Sequence, residues 1–480
     1  MKIKNIIMCA TTLLSSSFAE TVMAQVGKPF IHDPSTIAES NGKYYTFGTG
    51  SGGLVSDDGW NWSSGGVRPG GGVAPDIIKI GDRYCVAYAK GAGGEHASAV
   101  YVMWSKTLDP KSPDFGFKDE TLVAQSGGLE DCDAIDPAFV LGPDGKLWLS
   151  YGTYFGNIRM VELDPKTGKR MPGNKALDIA IDCEATDLEY RDGWYYLLGT
   201  HGTCCDGTNS TYNIVVGRSK KVTGPYLDNM GRDMLKGGGK MVLAAGNRKV
   251  GAGHFGRFIV ENGVEKMSFH WEADFDLGGR STLGILPLLW KNGWPYAGEN
   301  VKDGTYEIES ERRGYALELV VDFVRMAGGM RGFGGGNANE PPKPVASQEL
   351  TDVIKTWPTD KIDVRIGDYM FRPHQKWTIT AVPDAAGYLG GPSYKIVIAG
   401  TERALAATAD AEVVTVPAFT GAPEQLWRID QLTDGTYRIM PKAVPNSKEK
   451  YALVSSGDST PTLAKFDVNS DNSKWNFRAH

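Results

Sequence analysis

The chain has 480 residues, too many for one ordinary domain, and 41% of them are apolar, enough for sizeable cores. Sixty-one glycines and 10% aromatics, with few long helical patterns, fit a β-rich protein with many turns. Net charge is only −6 and no basic run stands out, which excludes nucleic acid as an expected partner.

The first 24 residues read as an export signal. Lys2 and Lys4 precede the apolar stretch Ile6 to Leu14, and Val22-Met-Ala24 offers a cleavage site before Gln25. No later segment approaches the roughly 18 apolar residues of a membrane span. The mature protein is therefore expected to be soluble, exported to the periplasm or beyond, and monomeric. It keeps Cys85, Cys132, Cys183, Cys204 and Cys205. An odd number of cysteines excludes complete internal pairing. The adjacent Cys204 and Cys205 read equally well as a vicinal disulfide or as two thiols in a tight loop, and Cys85 reads as a buried thiol in a strand.

Over residues 25–300 a turn-plus-strand phrase recurs five times. It reads Asn41-Gly-Lys-Tyr-Tyr-Thr-Phe47, Gly81-Asp-Arg-Tyr-Cys-Val-Ala87, Asp144-Gly-Lys-Leu-Trp-Leu-Ser150, Asp192-Gly-Trp-Tyr-Tyr-Leu-Leu198 and Asn262-Gly-Val-Glu-Lys-Met-Ser268. Asn-Gly or Asp-Gly between alternating apolar residues is a strong hairpin signal. Five such hairpins at blade-length spacing predict an all-β, five-bladed propeller. The stretches Lys106 to Gly128 and Lys221 to Lys249 read as surface loops between blades.

Asp33, Asp136, Glu184 and His254 each precede their turn residue (Asn41, Asp144, Asp192, Asn262) by eight positions. A common offset predicts the same height on equivalent strands, hence convergence on the propeller axis. Carboxylates facing one another suit glycoside hydrolysis, which needs one protonated and one ionised carboxyl. An apolar surround or a neighbouring like charge holds the proton on one of them. Proline follows both Asp33 and Asp136, which predicts extended backbone there. The longer side chain of Glu184 suits an acid reaching into a cleft. His254 could bind a metal or position the acid. Trp104, Tyr154, Phe155 and Trp271 are candidates to stack on sugar rings.

Residues 301–480 carry a second repeat. Asp303-Gly-Thr-Tyr-Glu-Ile308, Gly391-Pro-Ser-Tyr-Lys-Ile396 and Asp434-Gly-Thr-Tyr-Arg-Ile439 open three units, which close at Gln375-Lys-Trp377, Gln425-Leu-Trp427 and Ser473-Lys-Trp475. Threefold repetition with a closing Gln-x-Trp resembles the ricin-type β-trefoil. The first unit is swollen by Ala327 to Pro344 and the stretch to about Gly367, which read as a loop.

A family resemblance covers residues 30 to about 296 in order. It is carried by His32-Asp-Pro-Ser35, Ala74-Pro-Asp-Ile77, Asp133-Ala-Ile-Asp-Pro137, Tyr151-Gly-Thr-Tyr-Phe155, Gly202-Thr-Cys-Cys-Asp-Gly207, Ser210-Thr-Tyr-Asn-Ile-Val-Val-Gly-Arg-Ser219, Gly253-His-Phe-Gly256 and Gly278-Gly-Arg-Ser-Thr-Leu-Gly-Ile285. These resemble family 43 glycoside hydrolases, specifically the endo-1,5-α-L-arabinanase branch. The resemblance implies hydrolysis of arabinan with inversion, with Asp33 as general base, Glu184 as general acid and Asp136 tuning the acid. It implies a metal site at His254, usually calcium with water ligands. It also implies substrate contacts from Asp133, Ala134, Ile135, Thr153, Tyr154 and Phe155. Val73 departs from the family pattern, which often places Trp there. The alternatives are an exo-acting α-L-arabinofuranosidase or β-xylosidase and, in another class, a non-catalytic carbohydrate-binding protein.

Overall fold

A computed structural model describes residues 26–321 and 354–479, apart from 51, 71, 92, 95, 128–131, 356, 370, 371 and 458. The N-terminal signal and the insertion Ala327 to Pro344 lie outside the described residues.

Five antiparallel sheets follow one another, each built from consecutive strands. Blade one runs from Ala38–Ser40 through Lys43–Phe47 and Gly53–Ser56 to Asn61–Gly66, with Val26–Gly27 added in parallel on its outer edge. Blade two runs from Val73–Ile80 to Lys118–Gln125, and blade three from Ala138–Leu141 to Leu177–Ala180. Blade four runs from Glu184–Arg191 to Lys240–Leu243, and blade five from Lys249–Glu261 to Trp294–Ala297. The first strands of successive blades lie side by side, so they form the inner ring of a five-bladed propeller.

The five recurring phrases are the hairpins between first and second strands. Asn41-Gly42 and Asp192-Gly193 take positive φ at both residues, as the tight two-residue turn requires. The second strands that follow are buried almost throughout: every residue of Leu147–Tyr151 and of Val264–Asp274 is buried. Each blade has neighbours on both faces, so apolar residues need not alternate. The ring closes between blades five and one. Phe30 pairs with Thr282, the Leu283 amide donates to Pro29 O at 2.8 Å, and the Arg257 amide donates to Thr36 Oγ1 at 3.0 Å.

Two stretches expected to be loops each carry an outermost strand instead, Lys118–Gln125 and Lys240–Leu243. An outer strand pairs on one side only and faces water, so Lys118-Asp-Glu-Thr can enter a sheet without an apolar pattern.

At one end of the axis the inner strands gather charge rather than apolar side chains. Arg257 Nη1 of blade five donates to Asp76 Oδ2 of blade two (2.6 Å) and to Phe139 O of blade three (2.9 Å). Burial pushes the carboxyl of Glu189 up to about 8 and that of Asp187 well above the usual range. The charge of Arg257 opposes both shifts.

The C-terminal domain is a trefoil of three related units. Each begins with a strand (Gly304–Ser310, Tyr394–Ile398, Tyr437–Pro441) and closes through a short 3-10 turn (Pro373–Gln375, Pro423–Gln425, Asp471–Ser473) near a fully buried Trp. Trp377, Trp427 and Trp475 donate from Nε1 to the carbonyls of Leu317, Leu405 and Leu453 at 2.9, 3.0 and 2.8 Å. One hydrogen bond is thus repeated threefold in a shared core. Part of the swollen first unit is ordered as the strand Ile362–Asp368, which pairs with Tyr315–Leu319.

The trefoil docks on blades five and one. Lys266 Nζ of blade five donates to Asp430 Oδ1 at 3.0 Å, and Asp430 Oδ2 accepts from Arg428 (2.7 Å) and Arg438 (2.8 Å). Both arginines also reach Glu261 of blade five. The Gly387 amide donates to Asp58 of blade one at 2.8 Å, and Leu389 packs into the core between blades one and five. Asp430 is buried at the centre of three cations, so its removal leaves uncompensated buried charge. Asp430→Ala is expected to cost about 3–5 kcal/mol. It should lower the thermal unfolding midpoint markedly, and an unchanged midpoint contradicts this reading of the interface.

Candidate active site

Every blade carries one residue in the left-handed region within its inner strand or in the few residues leading into it. These are Asp33 (φ 50°), Ala74 (47°), Asp136 (52°), Ala185 (46°) and His254 (47°). Non-glycine residues rarely adopt this conformation, and they persist only where the surroundings enforce it. Fivefold repetition makes it a property of the propeller's axial mouth. It overturns the expectation of extended backbone at Asp33 and Asp136. The amide of Asp33 is held instead, donating to His270 Nδ1 at 3.0 Å.

The repetition also refines the common offset. Asp33, Asp136 and His254 are structurally equivalent, but Glu184 sits one position before its blade's left-handed residue. In register it matches Gly253, since Glu184 pairs with Thr200 as Gly253 pairs with His270. Glu184 therefore enters the axial cluster from a neighbouring position on the inner ring.

The four residues do gather. Asp33 Oδ1 lies 3.2 Å from His254 Nδ1, and Asp33 Oδ2 lies 3.0 Å from His32 Nδ1 and accepts from Thr49 Oγ1 at 2.5 Å. Asp136 Oδ2 accepts the Ala185 amide at 3.2 Å, which ties blade three to the residue after Glu184. Glu184 Oε1 accepts from the Tyr212 hydroxyl. The His254 amide donates to Thr200 Oγ1 at 3.0 Å.

Environment separates the carboxyls. Glu184 is only 7% exposed, and burial, then the charge of Asp136, push its pKa up to about 8. Burial, then the charge of Asp33 against an opposing effect from His254, brings Asp136 to about 6. Asp33 is partly buried, but the charges and hydrogen bonds of His254 and His32 hold it well below the usual carboxylate range. At neutral pH Glu184 keeps its proton and Asp33 is ionised. A protonated acid and an ionised base beside one axis are what hydrolytic cleavage between two sugars requires.

The other candidate residues fall into two groups. Tyr154 and Phe155 are 38% and 54% exposed, and their rings lie 4.4 Å apart between centroids. The charges of Glu184 and Asp136 both act on the Tyr154 hydroxyl, which places it beside the acid cluster. Asp133, Ala134 and Thr153 are buried, and Ile135 is partly buried against the core between blades two and three. The Asp133 carboxylate accepts the amides of Gly94 (2.6 Å) and His96 (3.0 Å), so it fastens a loop of blade two at the rim. The Ala134 amide is taken by Ser98 and Ser126. Trp104 and Trp271 are buried core residues rather than exposed stacking surfaces. Cys204 and Cys205 form a disulfide, while Cys85, Cys132 and Cys183 are buried thiols.

Sequence reasoning missed His32, Thr49, Tyr212, His270 and Glu272. The signal for the last two was Ser268-Phe-His-Trp-Glu272 in a strand where every residue is buried. Buried polar side chains in such a strand must be serving one another or a site.

A propeller with this pair of carboxyls is a carbohydrate-cleaving hydrolase by its site, and the comparisons agree. The model for "Glycosyl hydrolases family 43" matches residues 24–295, and a "Ricin-type beta-trefoil lectin domain-like" model matches residues 373–462. The chain belongs to glycosyl hydrolase family 43. It is 33% identical over 308 residues to an extracellular endo-α-(1→5)-L-arabinanase of Bacillus subtilis, covering 58% of this chain and 92% of the relative. It is 32% identical over 308 residues to an extracellular exo-α-(1→5)-L-arabinofuranosidase of Cellvibrio japonicus, covering 57% and 88%. Its fold matches the structure of a Cellvibrio cellulosa α-L-arabinanase complexed with arabinohexaose, with TM-score 0.53 and 30% identity over 57% of this chain and 96% of that one. No helix among the described residues is long and apolar enough to cross a membrane.

Proposed function

We propose that this protein is an exported enzyme that hydrolyses α-1,5-L-arabinofuranosyl linkages of arabinan with inversion. The observation that carries the reading is one axial cluster in which Asp33 lies 3.2 Å from His254 and 3.0 Å from His32 while Glu184 is buried against Tyr212, an arrangement that favours an ionised Asp33 and a protonated Glu184. Asp33 accepts a proton from a water whose oxygen bonds to the anomeric carbon. The bond from that carbon to the glycosidic oxygen breaks, and Glu184 gives its proton to the departing oxygen. Asp136 acts on the acid: its charge keeps Glu184 protonated, and its bond to the Ala185 amide fixes the backbone next to Glu184. Tyr154 and Phe155 offer ring faces to a sugar at the rim.

His254 is the residue fitted to hold the calcium that the family resemblance implies. Its Nδ1 faces Asp33, and no described residue hydrogen-bonds its Nε2. One imidazole is a poor calcium shell by itself, so water must complete the coordination. Bound calcium would supply positive charge beside the carboxyls.

Endo action is favoured by the Bacillus relative, and the exo-acting Cellvibrio relative keeps a second reading open. Product analysis on linear debranched arabinan separates them. Mixed arabino-oligosaccharides at early times are expected; release of a single short product from the first minutes identifies exo action. Tight binding of arabino-oligosaccharides with no reducing sugar released contradicts enzymatic function altogether.

A further inference from the structure

We propose that Glu272 is a positioning residue for the base Asp33, and that the Cys204–Cys205 turn holds Glu272 in place; this rests on the reading of Asp33 as the base. One oxygen of Glu272 gathers three groups. Oε1 lies 3.2 Å from His32 Nε2 and 3.3 Å from His270 Nε2, and it accepts the Cys205 amide at 3.2 Å. The two histidines turn their other nitrogens to Asp33. His32 Nδ1 lies 3.0 Å from Asp33 Oδ2, and His270 Nδ1 accepts the Asp33 amide at 3.0 Å.

The hydrogen-bond pattern assigns the tautomer. His270 Nδ1 must be unprotonated to accept an amide, so its proton is on Nε2 and points at Glu272. Glu272 thereby sets His270 as the acceptor that holds the left-handed turn at Asp33. Through His32 it also sets the direction of a charged donor to the Asp33 carboxylate. The rings of His32 and His270 stack at 4.5 Å between centroids.

Glu272 has little freedom of its own. It is 4% exposed, and a Cβ placed on Gly251 would meet its Cβ at 2.5 Å. The turn at Cys204–Cys205 is pinned on its other side, where Thr211 Oγ1 accepts the Thr203 amide at 3.0 Å and Ser210 Oγ donates to Thr203 O at 2.7 Å. A disulfide between neighbours restricts the peptide whose amide bonds Glu272. The chain of contacts runs from that turn through Glu272 and two histidines to Asp33.

The test is steady-state kinetics on a defined arabino-oligosaccharide for Glu272→Ala, Glu272→Gln and Asp33→Asn, with thermal unfolding of each. Glu272→Ala is expected to lower kcat about 10- to 100-fold, as loss of an orienting outer-shell partner does elsewhere. KM should stay within about twofold, because the substrate itself is not touched. Glu272→Gln keeps an oxygen that can accept the same bonds, so it should recover most of the loss. As an independent arm, reducing Cys204–Cys205 in the folded wild type should lower kcat reversibly. Wild-type kcat in Glu272→Ala, or Glu272→Gln no better than Ala, or a kcat indifferent to reduction, overturns the proposal. Asp33→Asn tells the two failures apart: if it is inactive while Glu272→Ala is unaffected, only the positioning role falls, whereas wild-type turnover in Asp33→Asn removes the base assignment as well.

Discussion

Replacing Glu184 by Gln should cut turnover of arabinan by about 10²–10⁴-fold, the usual worth of a positioned general acid. Gln preserves the shape and can still accept from Tyr212, so the fold should persist. The size of the loss should depend on the leaving group. An aryl arabinofuranoside whose phenolate departs unaided needs no proton, so Glu184→Gln should retain far more activity on it than on arabinan. Asp33→Asn should be equally inactive on both, because water must be activated in either reaction. The pH profile carries the same assignment. In the wild type the rate should fall as pH rises through about 8, where Glu184 loses its proton. Equal loss on both substrates in Glu184→Gln contradicts the acid role.

That proton has a sign for stability too. An acid whose pKa is higher in the folded state disfavours the folded form once pH exceeds the unfolded value near 4.3. Wild-type stability should therefore decline from about pH 5 to pH 8, and Glu184→Gln should unfold at a higher temperature than wild type at pH 8 but not at pH 5.

Asp136→Asn is the second large effect. After burial, the Asp136 charge is the main cause of the raised pKa of Glu184. Without it Glu184 gives up its proton at lower pH, and the alkaline limb of the rate profile should move toward acid. Turnover at neutral pH should fall about 10²-fold. Asp136 itself titrates near 6, so its charge is present above that pH, where Glu184 would otherwise give up its proton. The two carboxyls titrate as a coupled pair, and the limbs report the pair. An alkaline limb that stays in place in Asp136→Asn contradicts the tuning role.

Much of the architecture was legible because hairpin chemistry is local. Asn41-Gly42 and Asp192-Gly193 specify tight turns without help from distant residues, and five of them space the blades. The closing tryptophans marked the trefoil because each makes the same kind of bond inside its own unit. The outer strands Lys118–Gln125 and Lys240–Leu243 were not legible, since a solvent-facing edge needs no apolar period. At the axis, spacing brought out Asp33, Asp136, Glu184 and His254, but it treated Glu184 as equivalent to the others, when blade four reaches its turn one residue sooner. Counting from the left-handed residue rather than from the turn would have shown this, and that conformation is invisible in Ala185. Glu272 and His270 were hidden for another reason. Their partners, His32, Asp33 and Cys205, are remote in sequence, and only ring closure brings blades one, four and five together.

The stereochemistry of the first turnover tests the central claim most directly. Proton NMR of arabino-oligosaccharide hydrolysis, followed before mutarotation, should show the β-anomer of the new reducing end appearing first, as single displacement by an Asp33-activated water at an α-linkage requires. First appearance of the α-anomer would mean a covalent double displacement, and would contradict the assignment of Asp33 as a base acting through water.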